Sequence, residues 1–321
     1  MGTELAASCG TMGSMIPQQT SSGHRRAARS PLLFVLAAAA CASALGWTYW
    51  AFVRTTTGQF ADESAWREAG IAAPDSQLPF LRFLDTLPAI SVVIAAAAIL
   101  FVTVRRRRFA AAVTAVAVIL TSNLTTQILK NLVFDRPDRG VVTLAFNSLP
   151  SGHTTLAASA VAAVFLIATP RWRPFAAAAA GFYSVLAGAA TFINLWHRPA
   201  DVVAALLVVG TWTLIGGLVV MRTGDHWNRW QGFGGHWASS RGWLILCWIL
   251  GLGGLLVTAI LYLAAQSTGP VAASGTGSVP LFFWSGLAWI IGVGFTLCAA
   301  AGWLFTAQAR PAVSPESSPV Q

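Results

Sequence analysis

Residues 109–129 read FAAAVTAVAVILTSNLTTQIL. They carry no charge, and their number matches the roughly 20 residues a helix needs to cross the hydrocarbon of a bilayer. The second half holds Thr121, Ser122, Asn123, Thr125, Thr126 and Gln127. That is too many hydrogen-bonding side chains to leave against lipid, where polar groups are expensive. The segment is therefore expected to span a membrane with its second half turned toward a bundle interior or a wet cavity.

Such a span needs neighbours, and the chain supplies them. Further apolar runs fall at 31–53, 87–104, 152–169, 175–193, 200–221, 243–263 and 280–306. Over 321 residues the chain is 55% hydrophobic and 10% charged, against about a quarter charged in a soluble domain; its mean hydropathy is +0.64. A water-soluble enzyme, a disordered protein and a secreted disulfide scaffold are excluded together. The fold class expected is an all-α polytopic membrane helix bundle of eight spans. The run 31–53 continues through Trp47, Tyr49, Trp50 and Phe52, too long for the apolar region of a signal peptide, so it is expected to be retained. Cys9, Cys41, Cys247 and Cys298 are scattered without metal-like spacing; the three inside spans read as small buried hydrophobes.

The net charge of +9 would point to nucleic acid in a soluble protein, but its placement points to topology, and no nucleic-acid partner is expected. Arg25, Arg26, Arg29, Arg105–Arg108, Arg171, Arg173, Arg222, Arg229, Arg241 and Arg310 all fall on one side of an eight-span zigzag. By the positive-inside rule that side is cytoplasmic, with both termini. A bacterial plasma membrane is the expected location. The loop 54–86 falls outside; it mixes Trp66, Phe80, Leu81 and Phe83 with Asp62, Glu63, Glu68 and Asp85 and reads as an interfacial amphipathic segment or a plain connection. Segment 222–242 is cytoplasmic, with Trp227, Trp230 and Trp237 suited to an aromatic belt and His226 and His236 as interfacial residues. The polar stretches 1–30 and 307–321 read as disordered tails.

The remaining polar signal lies in two outer loops. The first runs from Lys130 through Arg136-Pro137 to Pro150-Ser151-Gly152-His153; the second is His197-Arg198-Pro199-Ala200-Asp201. Ser151 suits the N-cap of an apolar helix and Gly152 allows close backbone approach. The free amides and dipole of that helix start favour an anion, and Lys130 and Arg136 add two cations. Pro199 fits a first helical turn, leaving His197 just before a helix and Asp201 within reach of one imidazole nitrogen. Such a bond fixes the tautomer and frees the other nitrogen to attack. His153 can then protonate a leaving oxygen. Cations, an amide nest, a nucleophilic His–Asp pair and a second His describe phosphoryl transfer.

These residues make the chain resemble the type-2 phosphatidic-acid phosphatase superfamily, whose signature is Lys-x6-Arg-Pro, Pro-Ser-Gly-His and Ser-Arg-x5-His-x3-Asp. Pro150–His153 completes the second part, and His197 with Asp201 the latter half of the third. The resemblance implies a metal-independent phosphatase without cofactor, working through a phosphohistidine on a membrane lipid phosphate or polyprenyl pyrophosphate. It makes His197 the nucleophile, Asp201 its orienting partner and His153 the acid, with Lys130, Arg136, Ser151 and Gly152 holding the phosphate. It also implies a six-helix core over 31–221; the cytoplasmic linker and the two further spans over 222–306, read from hydropathy and charge, are additional to that core.

The sequence departs from this pattern twice. Five residues, not six, separate Lys130 from Arg136, and Ala190-Thr191 stands where the family has Ser-Arg. Arg198, beside the nucleophile, is the expected substitute for the absent arginine, ahead of Arg139. Two rival readings stay open: a metallohydrolase with His153, His197 and Asp201 as ligands, and a non-catalytic or transporter-like member of the same fold.

Overall fold

The computed structural model describes residues 31–72, 86–142, 147–223, 227–268 and 279–311; Cys9, His226 and both expected tails (1–30 and 312–321 of the second) lie outside them. Nine α-helices are found among the described residues: α1 (Pro31–Val53), α2 (Thr56–Ala72), α3 (Leu87–Arg106), α4 (Phe109–Ile128), α5 (Gly152–Ile167), α6 (Arg173–Ile193), α7 (Pro199–Thr223), α8 (Arg241–Thr268) and α9 (Leu281–Gln308). Apart from them there are short helical turns and a two-residue parallel pairing of Arg229–Trp230 with Arg310–Pro311. The protein is an all-α polytopic membrane bundle.

Seven helices are long and apolar enough to cross a membrane. The eighth expected span, α5, has only 16 residues, about 24 Å at 1.5 Å per residue, short of the roughly 30 Å hydrocarbon thickness. It stops before Thr169-Pro170, where Pro170 opens a 3-10 turn that leads into α6. Large apolar side chains such as Val93, Leu100, Leu120, Ile249, Leu256 and Leu263 point outward, the surface a bilayer would cover.

The polar half of α4 turns inward as expected. Ser122 and Thr126 are fully buried, Asn123 Nδ2 donates to Ser159 Oγ of α5 (3.2 Å), and Thr126 and Thr155 share a hydroxyl bond (2.9 Å). Trp212 Nε1 of α7 donates to Thr125 Oγ1 (3.0 Å). Thr121 returns its hydroxyl to its own helix.

The two C-terminal helices differ from one another. Helix α8 is peripheral, whereas half of α9 is buried. Phe305 of α9 sits edge-on to Phe34 of α1 and Phe165 of α5, centroids 5.4 and 5.0 Å away. Near its other end α9 presses on the start of α7 so closely that a Cβ at Gly286 would lie 2.5 Å from Pro199 Cγ. The hydrophobic core is thus shared by helices from both ends of the chain.

The loop 54–86 departs most from its sequence reading. Its first part forms α2, and instead of presenting its acids to water the helix buries Asp62, Glu63 and Glu68 (2, 5 and 1% exposed). Each acid has a partner on a later element: the Ala200 amide donates to Asp62 Oδ1 (3.0 Å), Arg198 meets Glu63, and the Phe283 amide donates to Glu68 Oε2 (3.0 Å). Opposite, Arg173 is likewise packed inside, bonded to Asn228 Oδ1 and lying over the Phe305 ring. It is therefore more than the exposed topology anchor its position suggests.

Candidate active site

Four segments meet at the end of the bundle where α1 ends and α5 and α7 begin. Ser151 caps α5, its Oγ accepting from the Thr154 amide (3.3 Å), which leaves His153 exposed one residue into the helix. The Ser151 amide donates to the Asp201 carbonyl (2.9 Å), so the starts of α5 and α7 are tied together. Beneath them Val53, Leu149, Ala200 and Ala204 form a buried apolar floor.

The loop from α6 to α7 carries the second histidine. Leu195 takes a left-handed backbone conformation, φ +62°, which side chains other than glycine adopt reluctantly. Its carbonyl accepts from Trp66 Nε1 of α2 (2.9 Å), and the His197 amide donates to the Thr191 carbonyl (3.1 Å). The His197 ring is 8% exposed and Asp201 is fully buried.

Asp201 Oδ2 collects three donors: His197 Nδ1 at 3.2 Å, Ser148 Oγ at 2.7 Å and the Arg198 amide at 3.1 Å. With Nδ1 engaged, Nε2 of His197 is the nitrogen left for chemistry. The His153 ring lies 6.3 Å from that of His197 and 5.1 Å from Trp196, centroid to centroid.

The cations are disposed unequally. Lys130 sits half-buried in a π-helical turn, Leu129–Val133, closed by the Phe134 amide on the Leu129 carbonyl (2.8 Å). Asn147 fastens this turn to the start of α5 by donating to the Lys130, Phe134 and Leu149 carbonyls. The Arg136 side chain is 2% exposed, and none of its three guanidinium nitrogens has a hydrogen-bond partner; its nearest acid is Asp62, at 3.9 Å. Burial lowers its pKa. Arg198, expected on the phosphate, is engaged elsewhere: Nε and Nη2 each meet Glu63 Oε2 at 2.9 Å and Nη1 donates to Ser148 Oγ at 3.1 Å. Arg139 is exposed. Thr191, in place of the family arginine, is buried with its hydroxyl on the Gly188 carbonyl (2.8 Å).

Lys130, Arg136, Ser151, Gly152, His153, His197 and Asp201 all belong to the two loops and helix starts that converge here. Among the described residues no three His, Cys, Asp or Glu side chains group as metal ligands. The contributions that sequence reading missed are Ser148 and, on α2, Gln59, Asp62, Glu63 and Trp66. Gln59 Nε2 bridges the Val53 and Pro137 carbonyls (2.8 and 2.9 Å). The available signal was their spacing at i, i+3, i+4 and i+7, one face of a helix.

A family model described as the PAP2 superfamily matches residues 111–225, which include both motif loops. No curated protein and no solved structure matches the chain.

Proposed function

We propose, from the match of residues 111–225 to the PAP2 superfamily model, that the protein is an integral-membrane phosphatase. Its substrate is a lipid phosphate or polyprenyl pyrophosphate whose head group reaches the site from the outer face while its tail stays in the bilayer. The observation that carries this reading is the His197–Asp201 pair, 3.2 Å apart, with His153 facing it across 6.3 Å.

In the first step His197 Nε2 attacks phosphorus and the bond to the leaving oxygen breaks. His153 delivers a proton to that oxygen, and Asp201 stabilises the charge appearing on the His197 ring. In the second step water attacks the phosphohistidine, giving its proton back to His153, and the P–N bond breaks to release phosphate. Lys130, Arg136 and the amides of Gly152 and His153 stabilise the equatorial oxygens, where the transition-state charge gathers. A dication held by His153, His197 and Asp201 finds no supporting ligand cluster among the described residues.

The test is phosphate release from lipid mono- and diphosphates by detergent-purified protein in excess chelator. Activity that His197→Ala abolishes, with an acid-labile phosphoenzyme trapped on the wild type, is the expected result. His153→Ala should lose most on substrates with poor leaving groups. No hydrolysis of any lipid phosphate would favour the non-catalytic reading, and inhibition by chelator the metallohydrolase.

A further inference from the structure

Arg136 and Asp62 face each other, both buried, without touching. The Arg136 side chain is 2% exposed and that of Asp62 1%; Nη2 and Oδ2 stand 3.9 Å apart, and neither atom has a hydrogen-bond partner. A buried guanidinium with all three nitrogens unpaired is costly to maintain, and an anion brought to it satisfies them together.

The charges nearby argue against an easy welcome for that anion. Two arginines, Arg136 and Arg198, share the pocket with three acids, Asp62, Glu63 and Asp201. Glu63 holds Arg198 and meets the half-exposed Arg67 at 3.5 Å, and Asp201 holds His197. Asp62 is therefore the acid set against Arg136, and Thr191 in place of the family arginine adds no cation beside them.

We propose that Asp62 is the internal counter-ion of the anion site: when ionised it competes with a bound phosphate group for Arg136, so that anion binding draws a proton from solvent onto its carboxyl. The proposal rests on the reading of Arg136 as a phosphate ligand. It assigns a positioning role to α2, which lies outside the region matched by the family.

The direction of the linkage follows from the surroundings. Burial first, then the charge of Asp201, pushes Asp62 up to about 7, while Arg136, Arg198 and the Ala200 amide pull the other way. On its remaining side Asp62 borders a cavity of about 490 Å³ whose wall includes one other titratable group, Tyr262 of α8. An anion beside Arg136 cancels part of that cation's pull and raises Asp62 further. Binding is thus favoured below about pH 7 and weakens above it, by about tenfold between pH 6 and 8 for one group of this kind.

Sulfate is the suitable probe, because unlike phosphate it remains a dianion throughout this range. Its affinity for the full-length protein, measured by calorimetry in detergent, should fall about tenfold from pH 6 to 8. Asp62→Asn should remove most of that fall and bind sulfate about tenfold more tightly than wild type at pH 8, a gain that a merely structural role does not produce. Infrared difference spectra of the wild type at pH 8 should show a protonated carboxyl gained when sulfate is added, which histidine cannot mimic. Parallel pH profiles in the two proteins, weaker binding by Asp62→Asn at every pH, or no carboxyl gained would each overturn the proposal. Sulfate binding that Arg136→Ala leaves unchanged would instead overturn the phosphate site itself, and the proposal with it.

Discussion

Arg198 stands next to His197, and on the sequence it is the better placed of two arginines to supply the charge missing at Thr191. In the folded chain both Nε and Nη2 lie 2.9 Å from Glu63 Oε2, within a pair whose side chains are 3 and 6% exposed. The two readings separate in one experiment. A phosphate ligand would lower kcat on replacement and leave stability alone. Loss of a buried ion partner leaves Glu63 with only the half-exposed Arg67, 3.5 Å away, and removing one member of a buried pair typically costs about 3–5 kcal/mol. We expect Arg198→Ala to lower the thermal unfolding temperature markedly, and Glu63→Ala/Arg198→Ala to recover part of the loss. Strict additivity in the double variant would show that the pair is not coupled. Arg139 is exposed and makes no ion pair among the described residues, so Arg139→Ala should change kcat by less than tenfold, about 1.4 kcal/mol. Thr191→Arg must displace a hydroxyl already bonded to the Gly188 carbonyl; an arginine there that raised kcat would mark the site as one cation short.

Helices α2 and α9 hold the site from outside the matched region. Sequence reading located the spans well, since hydropathy is a local property, and it found the motif turn because Ser151, Gly152 and Pro199 act on their own neighbours. It did not find the burial of α9, because in a membrane chain the core-facing and lipid-facing sides are equally apolar. Nor could it pair Asp62 with Ala200 or Glu63 with Arg198, partners 138 and 135 positions away. What α9 leans on can be tested directly. A Cβ on Gly292 would lie 2.7 Å from the Leu255 amide, and one on Gly254 2.8 Å from Gly292 Cα, the close backbone approach that small residues permit between membrane helices. Gly292→Leu is therefore expected to pry α8 from α9 and lower the unfolding temperature. Gly253→Leu, with open space at its Cβ position, should be tolerated. Equal damage from both would mean that the crossing depends on something other than this contact.

Across the whole molecule the charges divide by face. Among the described residues ten basic residues fall at the end opposite the site, while the site end receives six, together with six acids. Four of those six, Lys130, Arg136, Arg139 and Arg198, belong to the motif loops. An excess of Arg and Lys in short loops marks the cytoplasmic side, so the expected orientation puts the site outside, where a lipid head group in the outer leaflet can reach it. The prediction is best tested at a position whose substitution disturbs nothing. Asn147 is a poor choice, since its side chain donates to three backbone carbonyls. Val142 is 81% exposed at the site end, and its carbonyl accepts from Arg67 of α2 through the backbone alone. Cys41 and Cys247 are buried and Cys298 partly so, and Cys9 is removed by Cys9→Ser to silence the background. In that variant Val142→Cys should react with a membrane-impermeant maleimide on intact cells, and Arg171→Cys, at the opposite end, only after lysis. The reverse pattern would place the motif loops in the cytoplasm. On the proposed function the substrate lipids would then lie in the inner leaflet, and the charge asymmetry would need a different cause.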